Sequence, residues 1–347
     1  MSDSSDEKEL DFLVGRMRSA TAPIREVLRE LHTKHASDMS GKIADYIPEL
    51  AKADSNWFGI TIVTVDGQVF EIGDSRKQFT IQSISKPFMY GLAIEDNGLE
   101  SVLAKVGVEP TGEAFNSIVL DEASNRPFNP MVNAGAIATA DLIRGADYPE
   151  RVRRVLQMFA RYCGREVFID NTVFMSERVT GHRNRAIGHL MLNFGMVSDK
   201  IEESLELYFQ QCSILVNSVD LAMMGATLAK GGINPQTGER AVDQRMVKYL
   251  LSIMLSCGMY DYAGEWAYRV GIPAKSGVAG GIVGVVPGKF GIGVYSPMLD
   301  DKGNSVRGIH IFRELSERYG LHILESGFEG PSIDPLFGLQ RARGKAN

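Results

Sequence analysis

Gln82-Ser83-Ile84-Ser85-Lys86-Pro87 sets a serine and a lysine three residues apart. On the first turn of a helix, positions i and i+3 share one face about 5 to 6 Å apart, so Ser83 and Lys86 can meet. A serine hydroxyl is a weak nucleophile until a neighbouring base takes its proton, and a lysine is that base only where burial keeps its amine neutral. A helix start adds N–H groups and a positive dipole end for a developing oxyanion. Taken alone, the pattern also describes a helix cap followed by a solvated lysine. Ser85 serves as an internal control, because it adjoins Lys86 in sequence and points to another face.

A second short motif, Lys275-Ser276-Gly277, precedes an apolar strand. Ser-x-x-Lys on a helix with Lys-Ser/Thr-Gly on a strand is the pairing used by penicillin-recognising acyl-serine enzymes. In that setting Gly277 would let a substrate approach the strand closely, and the N–H of Val278 could complete an oxyanion hole.

The elements that must bring these motifs together can be read from periodicity. Thr21 can cap a helix with Pro23 in its first turn and Ile24, Val27, Leu28 and Leu31 on one face. A second helix is expected from Gly41 to Asp45, stopping before Pro48. The run from Phe58 to Gly73 puts β-rich segments on both sides of Asp66-Gly67, a hairpin signal, and a comparable pair flanks Pro287-Gly288-Lys289. Helices fill the stretch between them: one marked by Val152, Val155, Leu156 and Phe159, one capped by Ser198 and carrying Ile201, Leu205, Tyr208 and Cys212, and one capped by Ser218 and stopped at Gly231-Gly232. Val306, Ile309 and Leu315 suggest a closing helix.

Strands at both ends of a chain most simply join into one sheet. The expected fold is therefore α+β, an antiparallel sheet flanked by N- and C-terminal helices, with a large inserted helical lobe and a pocket between the two. Residues 1–20 read as a mobile acidic extension, 21–325 as the folded domain and 326–347 as a C-terminal tail. Within the domain, about 21–80 and 265–325 form the α/β part and about 81–264 the helical lobe.

Of the 347 residues, 44% are hydrophobic and 23% charged, and a net charge of -6 without a long basic run argues against nucleic acid as a partner. The most apolar stretch, 278–295, is cut by Pro287 and Lys289 and falls short of the roughly 20 residues a helix needs to span a bilayer, so no membrane partner is expected. The opening SDSSDEKELD is acidic where a secretory leader is basic, which points to the cytoplasm. Cys163, Cys212 and Cys257 are spaced neither as a disulfide framework nor as CxxC and read as buried thiols. The six histidines lack metal-ligand spacing and no phosphate-binding glycine motif occurs, so no metal or other cofactor is expected.

The chain resembles the serine-dependent glutaminases, relatives of the β-lactamase and penicillin-binding-protein fold. The resemblance runs through YIPEL (46–50), TVDGQ (64–68), IQSISKP (81–87), FNPMVNAGAI (128–137), SERVTGHRNRAIG (176–188), YFQQCS (208–213), SCGMYD (256–261) and PAKSGVAGG (273–281), in family order. It implies that Ser83 is the nucleophile, Lys86 its partner and Tyr260 a third catalytic group, with Asn133, Glu177, Asn184, Tyr208, Val278 and, more weakly, Tyr46 around the substrate. It further implies hydrolysis of L-glutamine to L-glutamate and ammonia through an acyl-serine, in a homodimer or homotetramer. Glutamine presents an α-ammonium, an α-carboxylate and an amide; Glu177 suits the first, neutral donors such as Asn133, Asn184 and Tyr208 the second, and Ser83 the third. Two alternatives stay open here. A β-lactamase or peptidase-type hydrolase would share both short motifs without needing Glu177, and a non-catalytic binding protein could keep the fold.

Overall fold

The computed structural model describes residues 23–112 and 117–338. Helix α1 (Ile24–His35) leads into the hairpin of β1 (Gly59–Thr64) and β2 (Val69–Gly73), then into the two-residue β3 (Phe79–Thr80) and a 3-10 turn, Gln82–Ser85. The helical block follows: α2 (Lys86–Asn97), α3 (Leu99–Leu103), α4 (Asn133–Asp141), α5 (Tyr148–Cys163), α6 (Asn171–Thr180), α7 (His182–Asn193) and α8 (Ile201–Cys212). A short β4 (Leu215–Val216) pairs with β3 and precedes α9 (Ser218–Ala229) and α10 (Gln244–Cys257). A 3-10 turn, Tyr260–Tyr262, and α11 (Ala263–Arg269) lead to β5 (Ala274–Gly277), β6 (Gly281–Val286), β7 (Phe290–Tyr295) and the closing α12 (Val306–Tyr319).

The sheet runs β2-β1-β7-β6-β5 and is antiparallel throughout, so the first hairpin and the last strands do join. The expected turn residue Gly67 holds a φ of 89°, and Val63 pairs with Val69 across it. On β7, Ile292 and Val294 face Leu28 and Leu31 of α1 and Phe312 of α12, all fully buried. Gly291 and Gly293 face the other way, where added Cβ atoms would lie 2.2 Å from the Ala222 carbonyl and 2.1 Å from that of Ser218. The glycines leave that face flat, and α9 lies on it backbone to backbone. Helix α9 thus ties the flat face of the sheet to the helical block. Among the described residues no helix is long and apolar enough to cross a membrane.

Several local expectations are corrected. Residues 41–45 are not helical, because Lys42 pairs its backbone with Leu299 in both directions at 2.8 Å and tertiary pairing overrides propensity. The cap of α9 is Asn217, which forms a reciprocal box with Asp220; the Ser218 hydroxyl instead meets Thr61 and the Ser75 carbonyl. The residue preceding α8 is Lys200 rather than Ser198, whose hydroxyl bonds Asp141 at 2.7 Å. The proposed cap Thr21 and the extension 1–20 lie outside the described residues, as do 339–347 of the tail.

Candidate active site

Ser83 lies in the 3-10 turn that feeds α2, and the residue before it is held in an unusual conformation. Gln82 has a φ of 50°, one of three non-glycine residues with positive φ among the described residues, with Asn125 and Tyr260. An L side chain adopts this region only when its surroundings impose it, at a cost of about 1 to 3 kcal/mol, and two of the three cases fall here. Strand β5 supplies part of that constraint. A Cβ on Gly277 would lie 3.0 Å from both the Ile81 carbonyl and Ile84, so the glycine admits the turn carrying the nucleophile.

Lys86 is 1% exposed. Its ammonium donates to the Met131 carbonyl at 3.0 Å and to Asn133 Oδ1 at 2.8 Å, while Tyr260 lies close to Ser83. The segment before α4 builds this cradle. Asn129 Oδ1 accepts the N–H groups of Met131 and Val132, and a Cβ on Gly135 would sit 1.9 Å from the Asn129 carbonyl, so only glycine lets α4 begin where Asn133 reaches the lysine. Burial lowers Lys86 to about 8, against weaker opposing effects of Cys212 and Glu177. Ser85 takes no part: its hydroxyl donates to the Gln82 carbonyl at 2.7 Å and accepts from Gln211.

A cavity of about 270 Å³ opens on Ser83. Asn133, Glu177, Asn184, Tyr208 and Tyr46 line it, with Tyr46 at 53% exposure. Glu177 comes from α6 and Asn184 from α7, brought to one wall at Gly181, where a Cβ would meet Phe209 at 2.6 Å and the Glu177 carbonyl at 2.8 Å. Asn184 Oδ1 accepts from Asn133 at 3.0 Å, linking the wall to the lysine cradle. Glu177 is 7% exposed, and burial raises its carboxyl to about 7, offset in part by a hydrogen bond from Gln82 and the charge of Lys86. A carboxylate held this way lacks a full cationic partner, which a ligand ammonium would supply.

Tyr260 and Val278 do not line this cavity, although Tyr260 lies close to Ser83. Tyr260 lines a neighbouring cavity of about 520 Å³ and Val278 one of about 200 Å³. A Cβ on Gly303 would stand 3.7 Å from the Tyr260 ring and 3.8 Å from Val278, so the two are neighbours. Burial raises the Tyr260 hydroxyl, and the hydrogen bond with Ser83 opposes that effect.

The sequence reading missed Gln82, Cys212 and Arg183 on the cavity wall. Cys212 could have been placed there, since it follows Tyr208 by four positions on α8; its thiol is buried and pushed up, unsuited to serve as a thiolate. Nothing in sequence announces the φ of Gln82.

A family model described as Glutaminase matches residues 41–324. The chain is 63% identical over 301 residues to a glutaminase of Microcystis aeruginosa, covering 87% of this chain and 89% of that one. It is 59% identical over 325 residues to a glutaminase of Trichormus variabilis, covering 94% and 95%. The solved structure of the probable glutaminase ybaS superposes with a TM-score of 0.85 at 41% identity, covering 88% of this chain and 99% of that one. That of Mglu in its glutamate form gives 0.84 at 44% identity, covering 88% and 71%.

Proposed function

The chain belongs to the glutaminase family and is a hydrolase converting L-glutamine to L-glutamate, and from that premise we propose that it acts through an ester of Ser83. The α-ammonium of glutamine pairs with Glu177, and Asn133, Asn184, Tyr208 and Tyr46 hold the carboxylate and the body of the substrate. Neutral Lys86 takes the Ser83 proton as the hydroxyl adds to the amide carbon, and the N–H groups of Ser83 and Val278 receive the oxyanion. Tyr260 passes its proton to the departing nitrogen and regains one from Lys86, so ammonia rather than an amide anion leaves and Lys86 is neutral again. Water then adds to the ester, Lys86 takes its proton, and collapse of the second tetrahedral intermediate returns a proton to Ser83 and frees glutamate.

The observation that carries this reading is the buried Lys86, held by Asn133 and the Met131 carbonyl beside a serine that opens on a cavity containing a buried carboxylate. The glutamate forms of Mglu belong to a relative with the same fold and support an amino-acid ligand in this cavity. A homodimer or homotetramer and a cytoplasmic location belong to the same proposal, supported by the family resemblance and by composition; sedimentation and cell fractionation test them.

The test measures ammonia release from glutamine, asparagine and N-acetylglutamine, with a chromogenic cephalosporin alongside. Glutamine alone should turn over well. Asparagine, one methylene shorter, should be at least about a hundredfold slower, since a displacement of about 1 Å at the reacting carbon costs that much. Equal turnover of N-acetylglutamine would remove Glu177 from its role, and rapid opening of the cephalosporin would favour the general acyl-serine reading.

A further inference from the structure

Lys275 is a buried titratable group that the scheme above does not use. It lies on β5, three residues before Val278, with 0% exposure. Its nitrogen donates to the carbonyl of Ser276 at 2.6 Å and stands 4.2 Å from the ring centroid of Tyr260. The titratable groups acting on it from α2 and α10 are Lys86 and Cys257, and neither is a carboxylate. An apolar side chain would fill the same space without the cost of burying an amine, so packing alone does not account for a lysine here.

Tyr260 is the residue this amine touches, and its backbone needs holding. Its φ of 55° is a strained conformation, yet the role given to it above needs its hydroxyl close to Ser83. N–H groups over a ring face attract it whether the amine is charged or neutral. The turn is already pinned to the same strand: Ser276 donates its N–H to the Gly258 carbonyl at 3.1 Å, and a Cβ on Gly258 would lie 1.8 Å from the Ala274 carbonyl.

We propose that Lys275 is a positioning residue for the reaction, its amine clamping the ring of Tyr260 so that the hydroxyl remains on Ser83. The proposal rests on the role given above to Tyr260. Burial and the nearby Lys86 push Lys275 well below the ordinary lysine range, which favours a neutral amine beside Lys86.

The test is a double-mutant cycle of Lys275→Met and Tyr260→Phe, read as kcat and KM for glutamine. Lys275→Met should lower kcat at least about thirtyfold and leave KM within about threefold, because the cavity holding the amino-acid head is untouched. The double variant should be no slower than Tyr260→Phe alone. Lys275→Gln, which keeps a donor for the Ser276 carbonyl, is read in the same cycle if the Met variant does not fold. Wild-type kcat in both Lys275 variants overturns the proposal, as do losses that multiply across the cycle. If Tyr260→Phe itself turns over at the wild-type rate, the catalytic assignment of Tyr260 fails instead.

Discussion

On β7, Ile292 and Val294 are fully buried among apolar side chains of α1 and α12, and Gly291 and Gly293 meet the backbone of α9. Around the cavity that opens on Ser83, a lysine is buried without a carboxylate bonded to it, a carboxyl is raised to about 7, and Gln82 holds a φ of 50°. The first region follows the rules that lower the free energy of folding: burial of apolar area, regular pairing and close packing. The second breaks them around one cavity. Groups that folding alone would avoid are what a serine hydrolase needs, namely a base that is neutral near physiological pH and an anion waiting for an ammonium. The rigid sheet is what holds the unfavourable arrangement in place.

The contrast is tested most severely at Ser83 and Lys86. Ser83→Ala and Lys86→Ala should each lose about a thousandfold or more in kcat while remaining folded, and Lys86→Arg should be as inactive because guanidinium does not deprotonate. Ser85→Ala, two residues from the nucleophile, should keep most of the activity and lose about 1 kcal/mol of stability with its hydrogen bond to Gln82. Equal losses at Ser83 and Ser85 would take the nucleophile away from Ser83.

Glu177→Gln comes next. Leaving the substrate ammonium unpaired inside the cavity should cost about 2 to 5 kcal/mol of binding, so KM for glutamine should rise at least about thirtyfold. An unchanged KM would mean that the ammonium sits elsewhere.

A smaller effect, about tenfold across one pH unit, is expected in the pH profile. Burial lowers Lys86 from the ordinary lysine range to about 8, so its neutral form gains population as pH rises and kcat should climb up to about pH 8 before levelling. Burial raises Glu177 to about 7, so its carboxylate also forms with rising pH and KM should fall through pH 7. A kcat that is flat between pH 6 and about 8 would exclude Lys86 as the base.

Stability should move in opposite directions in the two regions. Ile292→Ala should cost about 2 to 5 kcal/mol in chemical denaturation and leave kcat of the folded enzyme within about threefold. Lys86→Met should gain about 1 to 3 kcal/mol near pH 7. The sign follows from the lowered folded value: the unfolded chain binds the proton more tightly, so wild type carries the full penalty below about pH 8 and none above the ordinary lysine range. The gain should therefore vanish in strong alkali. Least affected should be Cys163→Ala and Cys257→Ala, with small packing losses and intact turnover.

The hairpin at Gly67, the strands around Gly288 and the helix Tyr148–Cys163 were legible because turn chemistry and hydrophobic period act over a few residues. The helix expected at 41–45 was not, because its fate was decided by Leu299, a partner far along the chain. From sequence, Ser218 reads as the cap one residue late, since Asn217 and Ser218 are both good caps and only the contacts with Thr61 and Ser75 distinguish them. Within the site, Cys212 was accessible through helical spacing, whereas Gln82 was hidden because no residue type encodes positive φ except glycine and, less strongly, asparagine.

By itself the sequence determined the chemistry on offer: a serine and a lysine at helical spacing, a glutamate and asparagines in ordered blocks, and glycines where chains must cross closely. Residue types and short spacings are local facts, and reactivity of a kind follows from them. Only the tertiary structure decided that Lys86 would bond Asn133 and Met131 while Ser83 turns to Tyr260, and that Gly277 would face the turn at Ile81. It also decided that Lys275 would lie under the Tyr260 ring. Those outcomes depend on burial and on neighbours distant in sequence. The free energy of a charge or a strained backbone is set by everything packed around it, which no local pattern contains.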